Sequence, residues 1–337
     1  MDLSRQIVLE RLPQGRLTTD CFRLEETERP SPREGEVLLK VLYVTLDASN
    51  RAWMQGPTYR AALTAGGVMY GRALAEVVES RAPGPAPGDI VFAETGWRDW
   101  AVMPAGLVQK RPRTAPLSYL LSVYGISGLT AYHGLVDCGR LAPGDTVVIS
   151  AAAGAVGTIA CQIARLKGAA RVVGVAGGPE KCAWLTRELG CDAALDYKAG
   201  GVRERVREAC PGGVDLYFDN VGGATLEAML VEMKNHARVV CCGSVSTYDG
   251  SAPEHGPRGV PGLLVTKRLT MTGFIVTDFA AGREAALAEL RGWVERGRLK
   301  VPEHISDGLE DLPSALVGLL HGENRGKRMV RIRHPAE

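Results

Sequence analysis

The sequence predicts an α/β protein in two parts: a β-rich first segment, then a doubly wound parallel sheet flanked by helices. Three observations carry this. From about residue 5 to 120 the pattern is short apolar runs separated by turns. From about 125 to 275 it changes to regular strand–helix alternation, which implies parallel strands joined by right-handed crossovers. Between them lies Thr146-Val-Val-Ile-Ser-Ala-Ala-Ala-Gly-Ala-Val-Gly157, a β-branched run that ends in a small-residue turn and opens a helical pattern.

In the first segment the run Val37–Val44 reads as a strand and follows the turn Pro32-Arg33-Glu34-Gly35. Ala73–Glu79 is a second strand. The Pro- and Gly-rich stretch 83–89 turns the chain into Ile90–Ala93. In the second segment, strands are predicted at 146–151, 171–176, 193–196, 214–219, 237–242 and 269–275. Helices are predicted at about 155–168, 179–189, 201–210 and 223–234. The stretch 246–265 lacks periodicity and reads as a loop or flap. A long helix is expected at 280–297, another near 311–321, and a last strand at 327–332.

Bulk properties limit the classes of function. The 337 residues suggest two domains. Hydrophobic residues make up 45% and charged residues 23%, and the net charge is +2 with both signs interspersed, so no basic block points to nucleic acid or a membrane surface. No run of about 18 apolar residues suggests a membrane span. The charges within MDLSRQIVLERL are unlike a signal peptide, so a cytoplasmic protein is expected. The eight cysteines form no C-x-x-C and pair with no histidine at zinc spacing, and they read as reduced, mostly buried thiols. The six histidines (133, 236, 255, 304, 321 and 334) form no triad or ligand pair.

A strand that ends Ala152-x-Gly154-x-x-Gly157 and feeds a helix suits a dinucleotide pyrophosphate. Small residues let the backbone approach the phosphates, and the helix N-terminus offers N–H groups to the negative charge. The next strand ends Ala176-Gly177-Gly178, without the carboxylate that would bond a ribose 2′-hydroxyl. Lys181 follows and on its own would read as a solvated helix lysine. Beside a strand end that lacks an acid, it favours the 2′-phosphate of NADPH. Tyr217 and Phe218 sit inside a predicted strand and read as core.

Five stretches carry a resemblance that runs nearly end to end: Ser127–Tyr132, Ala151–Gly157, Tyr217-Phe-Asp-Asn-Val-Gly-Gly223, Cys242-Gly-Ser-Val-Ser-Thr-Tyr248 and Gly322-Glu-Asn-Arg-Gly-Lys327. With them the chain resembles the zinc-independent branch of the medium-chain dehydrogenase/reductase superfamily, which includes prostaglandin, alkenal double-bond and curcumin reductases. The resemblance implies a GroES-like catalytic domain formed by residues 1–124 and 298–337, and a Rossmann NADPH-binding domain formed by 125–297. It implies that Ala153, Gly154, Ala155 and Val156 contact the pyrophosphate, and that Lys181 and Tyr197 hold the ribose phosphate. Asn220 would lie beside the cofactor. Cys242, Gly243, Ser244, Val245, Ser246, Thr247 and Tyr248 would line the nicotinamide half, with Phe274, Ile275 and Val276. Asn324 would return from the tail to touch the cofactor. A homodimer is also implied.

The zinc-binding members of the superfamily carry a Gly-His-Glu where this chain has Gly71-Arg72-Ala73, and no cysteine falls within 90–115, so no metal is expected. The implied activity is NADPH-dependent reduction of the C=C bond of α,β-unsaturated ketones or aldehydes. Tyr248 is the candidate hydrogen-bond donor to the developing enolate, and its other reading is a loop aromatic packed on its neighbours. Arg51, Tyr59, Met69 and Tyr70 are candidate pocket residues. Several relatives have a tyrosine where Ser49 stands, which leaves substrate preference open. A zinc-free quinone oxidoreductase, a reductase with one dedicated substrate, and a non-catalytic NADPH-binding sensor are the rival readings.

Overall fold

A computed structural model describes residues 3–114, 116–250 and 256–333. Part of the predicted flap, 251–255, lies outside them, as do His255 and His334. The first segment contains β1 (Leu3–Leu9), β2 (Phe22–Glu28), β3 (Glu36–Thr45), the single helical turn α1 (Ser49–Ala52), β4 (Arg72–Ser80), β5 (Ile90–Ala93), β6 (Trp100–Pro104) and β7 (Gln109–Arg111). β1 and β2 pair as an antiparallel ribbon. β3, β4, β5 and β7 form an antiparallel sheet, and β6 adds to β3. The sheet folds around a core that includes Ile7, Leu39, Val41, Val44, Met69 and Trp97.

The second segment begins with α2 (Ile126–His133), which continues as one π-helical turn to Cys138. The sequence pattern does not predict α2 as a helix. Six of its eight residues are buried and several are small or polar (Ser127, Gly128, Thr130), so it has no apolar stripe to read. Gly128 is required where it stands, since a Cβ there would lie 1.8 Å from the Val123 carbonyl oxygen.

The alternating elements follow: β8 (Thr146–Ser150), α3 (Ala155–Leu166), β9 (Arg171–Ala176), α4 (Pro179–Leu189), β10 (Ala193–Asp196), α5 (Val202–Ala209), β11 (Val214–Asp219), α6 (Gly223–Glu232), β12 (Met233–Cys241), α7 (Val260–Lys267) and β13 (Thr270–Gly273). The strands form one six-stranded parallel sheet in the order β10-β9-β8-β11-β12-β13. One face is covered by residues of α2, α3, α4 and a later helix, α8 (Arg283–Glu295), among them Leu135, Ile159, Leu185 and Leu290. The other face is covered by α5 and α6 through Val206, Leu226 and Met229. The eight cysteines are free thiols, four buried and four half-buried.

Three boundaries differ from the sequence reading. β12 starts at Met233, inside the predicted helix, because Met233 pairs with Val214 of β11; the register then shifts before Arg238 pairs with Leu216. The predicted flap carries α7 at its end, a helix with apolar residues on every side and Pro261 in its first turn, so no periodicity marks it. β13 stops at Gly273, and a 3-10 stretch, Val276–Gly282, precedes α8. Phe274, Ile275 and Val276 therefore lie just past the strand instead of completing it.

The tail forms β14 (Glu303–Asp307), α9 (Leu312–Leu320) and β15 (Lys327–Arg331). β15 pairs antiparallel with β3, and β14 pairs with β15, so the end of the chain completes the first sheet. On its way the tail touches the nucleotide-type sheet: the Gly326 N–H donates to the Ala153 carbonyl at 2.8 Å. Gly326 has φ +73°, and a Cβ there would sit 2.0 Å from the Pro302 carbonyl oxygen. Gly326→Ala should therefore cost about 3 kcal/mol and lower the thermal midpoint by roughly 5–10 °C. An unchanged midpoint in a melting curve would refute this account of the tail turn.

Candidate active site

All six parallel strands end at one edge. The strand order reverses between β8 and β11, because the chain runs outward from β8 to β9 and β10 and then resumes on the other side at β11. Crevices for ligands form at such switch points. Here the gap is bridged by side chains. Asn220 Nδ2 donates to the Ser150 carbonyl at 2.7 Å, and the Asn220 N–H donates to Ser150 Oγ at 2.9 Å. Ser150 Oγ donates in turn to the Asp219 carboxylate at 3.1 Å. Asp219 is buried and also accepts from the Tyr217 hydroxyl at 2.7 Å and from the N–H groups of Val221 and Gly222 at 3.0 Å. Burial, then the adjacent Asp219, hold the Tyr217 phenol well above its usual range. The sequence reading did not single out Asp219 as an organiser, although its place at the end of a strand before Asn-Val-Gly-Gly was the available signal.

Beside this gap, Ala151–Gly154 turns the chain from β8 into α3. Ala151 sits at φ +46°, the left-handed region. A Cβ on Gly157 would meet the Ala151 carbonyl oxygen at 2.3 Å, so only glycine lets the helix start so close to the turn. Gly174 on β9 leaves room for Ala152 in the same way, at 2.9 Å. No side chain caps the N-terminus of α3, and its first N–H groups point out of the turn that holds Ala153, Gly154, Ala155 and Val156. Asn324 is buried against this turn, with its Nδ2 donating to the Gly326 carbonyl at 2.7 Å.

At the end of β9 a cluster of cations forms. Lys181 Nζ reaches across to the Gly322 carbonyl of the tail at 2.5 Å. Burial, followed by Lys198 and Arg325, lowers the Lys181 pKa, as expected for three positive charges brought together. Tyr197 and Lys198 lie over Gly177, where a Cβ would come within 2.9 Å and 3.0 Å of their side chains. Asp196 fixes both turns by accepting from the N–H groups of Gly178 and Lys198. Arg325 is also bonded to the exposed Glu180. Lys198 and Arg325 escaped the sequence reading because they come from loops far apart in the chain.

The loop after β12 holds Tyr248. Asp219 and Asn220 anchor its start: the N–H groups of Cys242 and Gly243 donate to the Asp219 carbonyl, and that of Val245 donates to the Asn220 carbonyl. Ser246 Oγ donates to the Val221 carbonyl at 2.6 Å, and Thr247 Oγ1 donates to the Ser244 carbonyl at 2.8 Å. The Tyr248 hydroxyl accepts from the Ser244 N–H at 3.1 Å. That bond uses an oxygen lone pair and leaves the phenolic proton available for donation. Burial raises the Tyr248 pKa, so the phenol stays neutral at ordinary pH. Burial, then Asp219 and Cys241, push the Cys242 thiol up to about 12, so it is protonated and is no nucleophile. Phe274 follows β13, whose end pairs with that of β12, so residues 274–276 leave the sheet next to the Cys242 loop.

The first domain supplies the facing wall. The Asp47 carboxylate pairs with buried Lys327 at 2.6 Å. Burial would raise its pKa, but Lys327 and Arg72 outweigh that and hold it below the usual carboxylate range. Tyr70 donates to Glu94 at 2.6 Å, accepts from Arg72 Nε at 2.9 Å and carries the Arg60 guanidinium over its ring. Tyr59 is 61% exposed, edge-on to Trp53, and lies near Tyr248. Two expected pocket residues are corrected. Met69 is 1% exposed within the first-domain core, because its strand-like backbone pairs with Ile7 and Trp97. Arg51 is 3% exposed, with its guanidinium committed to Asp249 and the Gly15 carbonyl.

Among the described residues, no group of three or more His, Cys, Asp or Glu side chains is placed to hold a metal ion, and no helix is long and apolar enough to cross a membrane. A family model described as the N-terminal domain of oxidoreductase matches residues 5–110, and one described as zinc-binding dehydrogenase matches 155–291. The NADPH-dependent curcumin reductase of Escherichia coli is 40% identical over 335 residues, covering 98% of this chain and 97% of the relative. Prostaglandin reductase 1 of Bos taurus is 41% identical over 323 residues, covering 94% and 95%. The crystal structure of CurA from Vibrio vulnificus in complex with NADPH matches with a TM-score of 0.92 at 38% identity, covering 98% of this chain and all of that one.

Because Asp219 satisfies four donors, Asp219→Asn replaces an acceptor with a donor among them. It should cost about 2–4 kcal/mol, read as a lower denaturation midpoint. A melting curve that superimposes on the parent's would refute the role given to this carboxylate.

Proposed function

The chain belongs to the zinc-independent branch of the medium-chain dehydrogenase/reductase superfamily that includes the prostaglandin and curcumin reductases, and from that membership we propose that it reduces the C=C bond of α,β-unsaturated ketones or aldehydes with NADPH. At the coarser level it is an NADPH-dependent oxidoreductase of the curcumin and prostaglandin reductase type.

The residues present fit this cofactor. The uncapped start of α3 and the glycine-only contact at Gly157 suit a pyrophosphate beside Ala153, Gly154, Ala155 and Val156. Lys181 and Tyr197, with Lys198 and Arg325, suit a phosphate on the adenosine ribose, because mutually repelling cations gain most from an anion set among them. Residues 242–248 and Phe274, Ile275 and Val276 would then surround the nicotinamide half, with Asn220 and Asn324 beside the cofactor. NADPH, when bound, supplies a hydride for the β-carbon of the substrate.

The chain's own contribution is to the carbonyl end. As the β-carbon gains electrons, charge moves to the carbonyl oxygen and an enolate forms. The observation that carries the proposal is the Tyr248 hydroxyl, half-buried and neutral, accepting from the Ser244 N–H and free to donate its proton toward that oxygen. Such a donor, already oriented, stabilises the transition state more than the ground state. Water then protonates the α-carbon.

A screen of NADPH consumption over enals, enones and quinones, with NADH as the paired control, tests the proposal. Enone turnover with NADPH is expected, and turnover of quinones alone would overturn the reading. Tyr248→Phe should lower enone turnover by roughly ten-fold or more with a smaller change in NADPH affinity, and a near-parental rate would remove Tyr248 from the chemistry. In the parent the rate should hold up to about pH 10, because burial raises the phenol's pKa and keeps the donor protonated.

Lys181→Ala should weaken NADPH binding by about ten-fold, the loss of one charge-assisted contact, and leave NADH binding within about two-fold. Equal losses for both coenzymes in a titration would place Lys181 elsewhere.

A further inference from the structure

The Tyr248 loop is held from two sides. Its own domain anchors its start at Asp219, Asn220 and Val221. Its far end is held by the first domain. Gln55 Nε2, just past α1, donates to the carbonyl oxygens of Tyr248 at 3.0 Å and Thr247 at 3.3 Å. The next residue, Asp249, accepts at one oxygen from Arg51 Nε at 3.1 Å and from the Leu17 N–H at 2.8 Å. Arg51 also donates to the Gly15 carbonyl at 2.6 Å, so one guanidinium joins the 15–17 loop, α1 and the Tyr248 loop.

The Arg51 and Asp249 side chains are 3% and 10% exposed. A pair so placed is shielded from salt and has fixed geometry, unlike a surface ion pair. These contacts constrain the residue whose hydroxyl the proposed reaction uses. Tyr248 is fixed at its side-chain oxygen by Ser244, at its carbonyl by Gln55, and through its neighbour by Arg51. A donor displaced by an ångström loses much of its effect on a developing oxyanion.

We propose that Arg51 and Gln55 are positioning residues: they dock the Tyr248 loop onto the first domain and thereby set where its phenol lies. This inference rests on the enone-reductase reading for its kinetic consequence, but the docking itself does not. Arg51 touches no reacting atom. It acts through Asp249, and Gln55 acts through the Tyr248 backbone. The cleft is then complete only when the two domains hold this relation, so the donor's place depends on the first domain as well as on its own loop.

Two measurements test it. The first is hydrogen–deuterium exchange of the peptide spanning 243–249 in the unliganded protein. Arg51→Lys keeps the charge but cannot bridge Asp249 and Gly15 together, and Gln55→Ala removes an exposed contact without opening a core. Each should speed exchange in this peptide at least three-fold while the β8 and β11 peptides stay unchanged. Parental exchange in both variants would overturn the docking, whatever the substrate proves to be. The second is a double-mutant cycle on enone turnover. Arg51→Lys should lower kcat about five-fold or more with Tyr248 present and less than two-fold in the Tyr248→Phe background, with a smaller change in the NADPH dissociation constant than in kcat. Equal losses in the two backgrounds would show that Arg51 does not act through Tyr248. If exchange rises as stated but no enone is reduced by the parent, the docking stands and the enone reading falls.

Discussion

A carboxylate placed out of water at the centre of a sheet edge is costly unless donors converge on it. Asp219 meets that demand with four: the Tyr217 and Ser150 hydroxyls and the Val221 and Gly222 N–H groups. Each of these bonds also has a structural consequence. Ser150 closes the gap between β8 and β11, where the strand order reverses. Val221 and Gly222 set the turn into α6. The carbonyl of the same residue receives Cys242 and Gly243, which begin the loop that ends in Tyr248. The placement of the glycine-rich turn relative to the phenol therefore depends on one buried acid and its backbone. The paired β8 and β11 strands fix the spacing of the two halves, and Asp219 fixes the turns at their ends.

Much of the second segment was legible because its signals are local. A β-branched run followed by small residues can only be a strand leading into a tight turn. The reason Gly157 must be glycine is a contact with Ala151, six residues earlier. The strand end without an acid, Ala176-Gly177-Gly178, could likewise be read directly. What the residues did not reveal depends on contacts between distant parts of the chain. Lys198 and Arg325 join Lys181 through two separate loops. α2 is buried on nearly all sides, so its helical period has no polar face to contrast with. α7 is short and apolar all round, and it followed a stretch whose Gly, Pro and Ser residues read as loop.

The first-domain candidates show the same limit from the other direction. Arg51 and Met69 stand next to polar and aromatic candidates in the chain, and sequence alone cannot tell which side of such a stretch a side chain takes. Met69 turned into the core, where the backbone pairing of its neighbours with Ile7 and Trp97 fixes its direction. Arg51 turned toward the second domain, because a guanidinium can be buried only where a carboxylate and carbonyls await it, and Asp249 lies 198 residues away. Tyr59 is exposed beside Trp53, and Tyr70 packs edge-on against the same ring. Tyr70 is there because its hydroxyl has Glu94 and Arg72 to satisfy it.

The two halves of the crevice are thus built by different means, with consequences for how each can vary. The half at the Ala151–Gly157 turn is mostly backbone geometry: an uncapped helix start, glycines whose absent Cβ atoms make room, and a tail that returns to hydrogen-bond the turn at Ala153, with the Lys181, Lys198 and Arg325 side chains at its outer end. A Cβ at Gly157 or Gly174 would clash there, so this turn tolerates little change. The other half is side-chain architecture drawn from two domains. The Asp47–Lys327–Arg72 charges and the Trp53, Tyr59 and Tyr70 rings come from one domain, and the Tyr248 loop comes from the other. On the proposed reading, a substitution at Ser49, Tyr59 or Arg60 alters the wall that a substrate meets without touching Asp219. On the proposed reading, the fold holds Tyr248 and the Ala151–Gly157 turn in fixed register while leaving the wall that meets the substrate free to change.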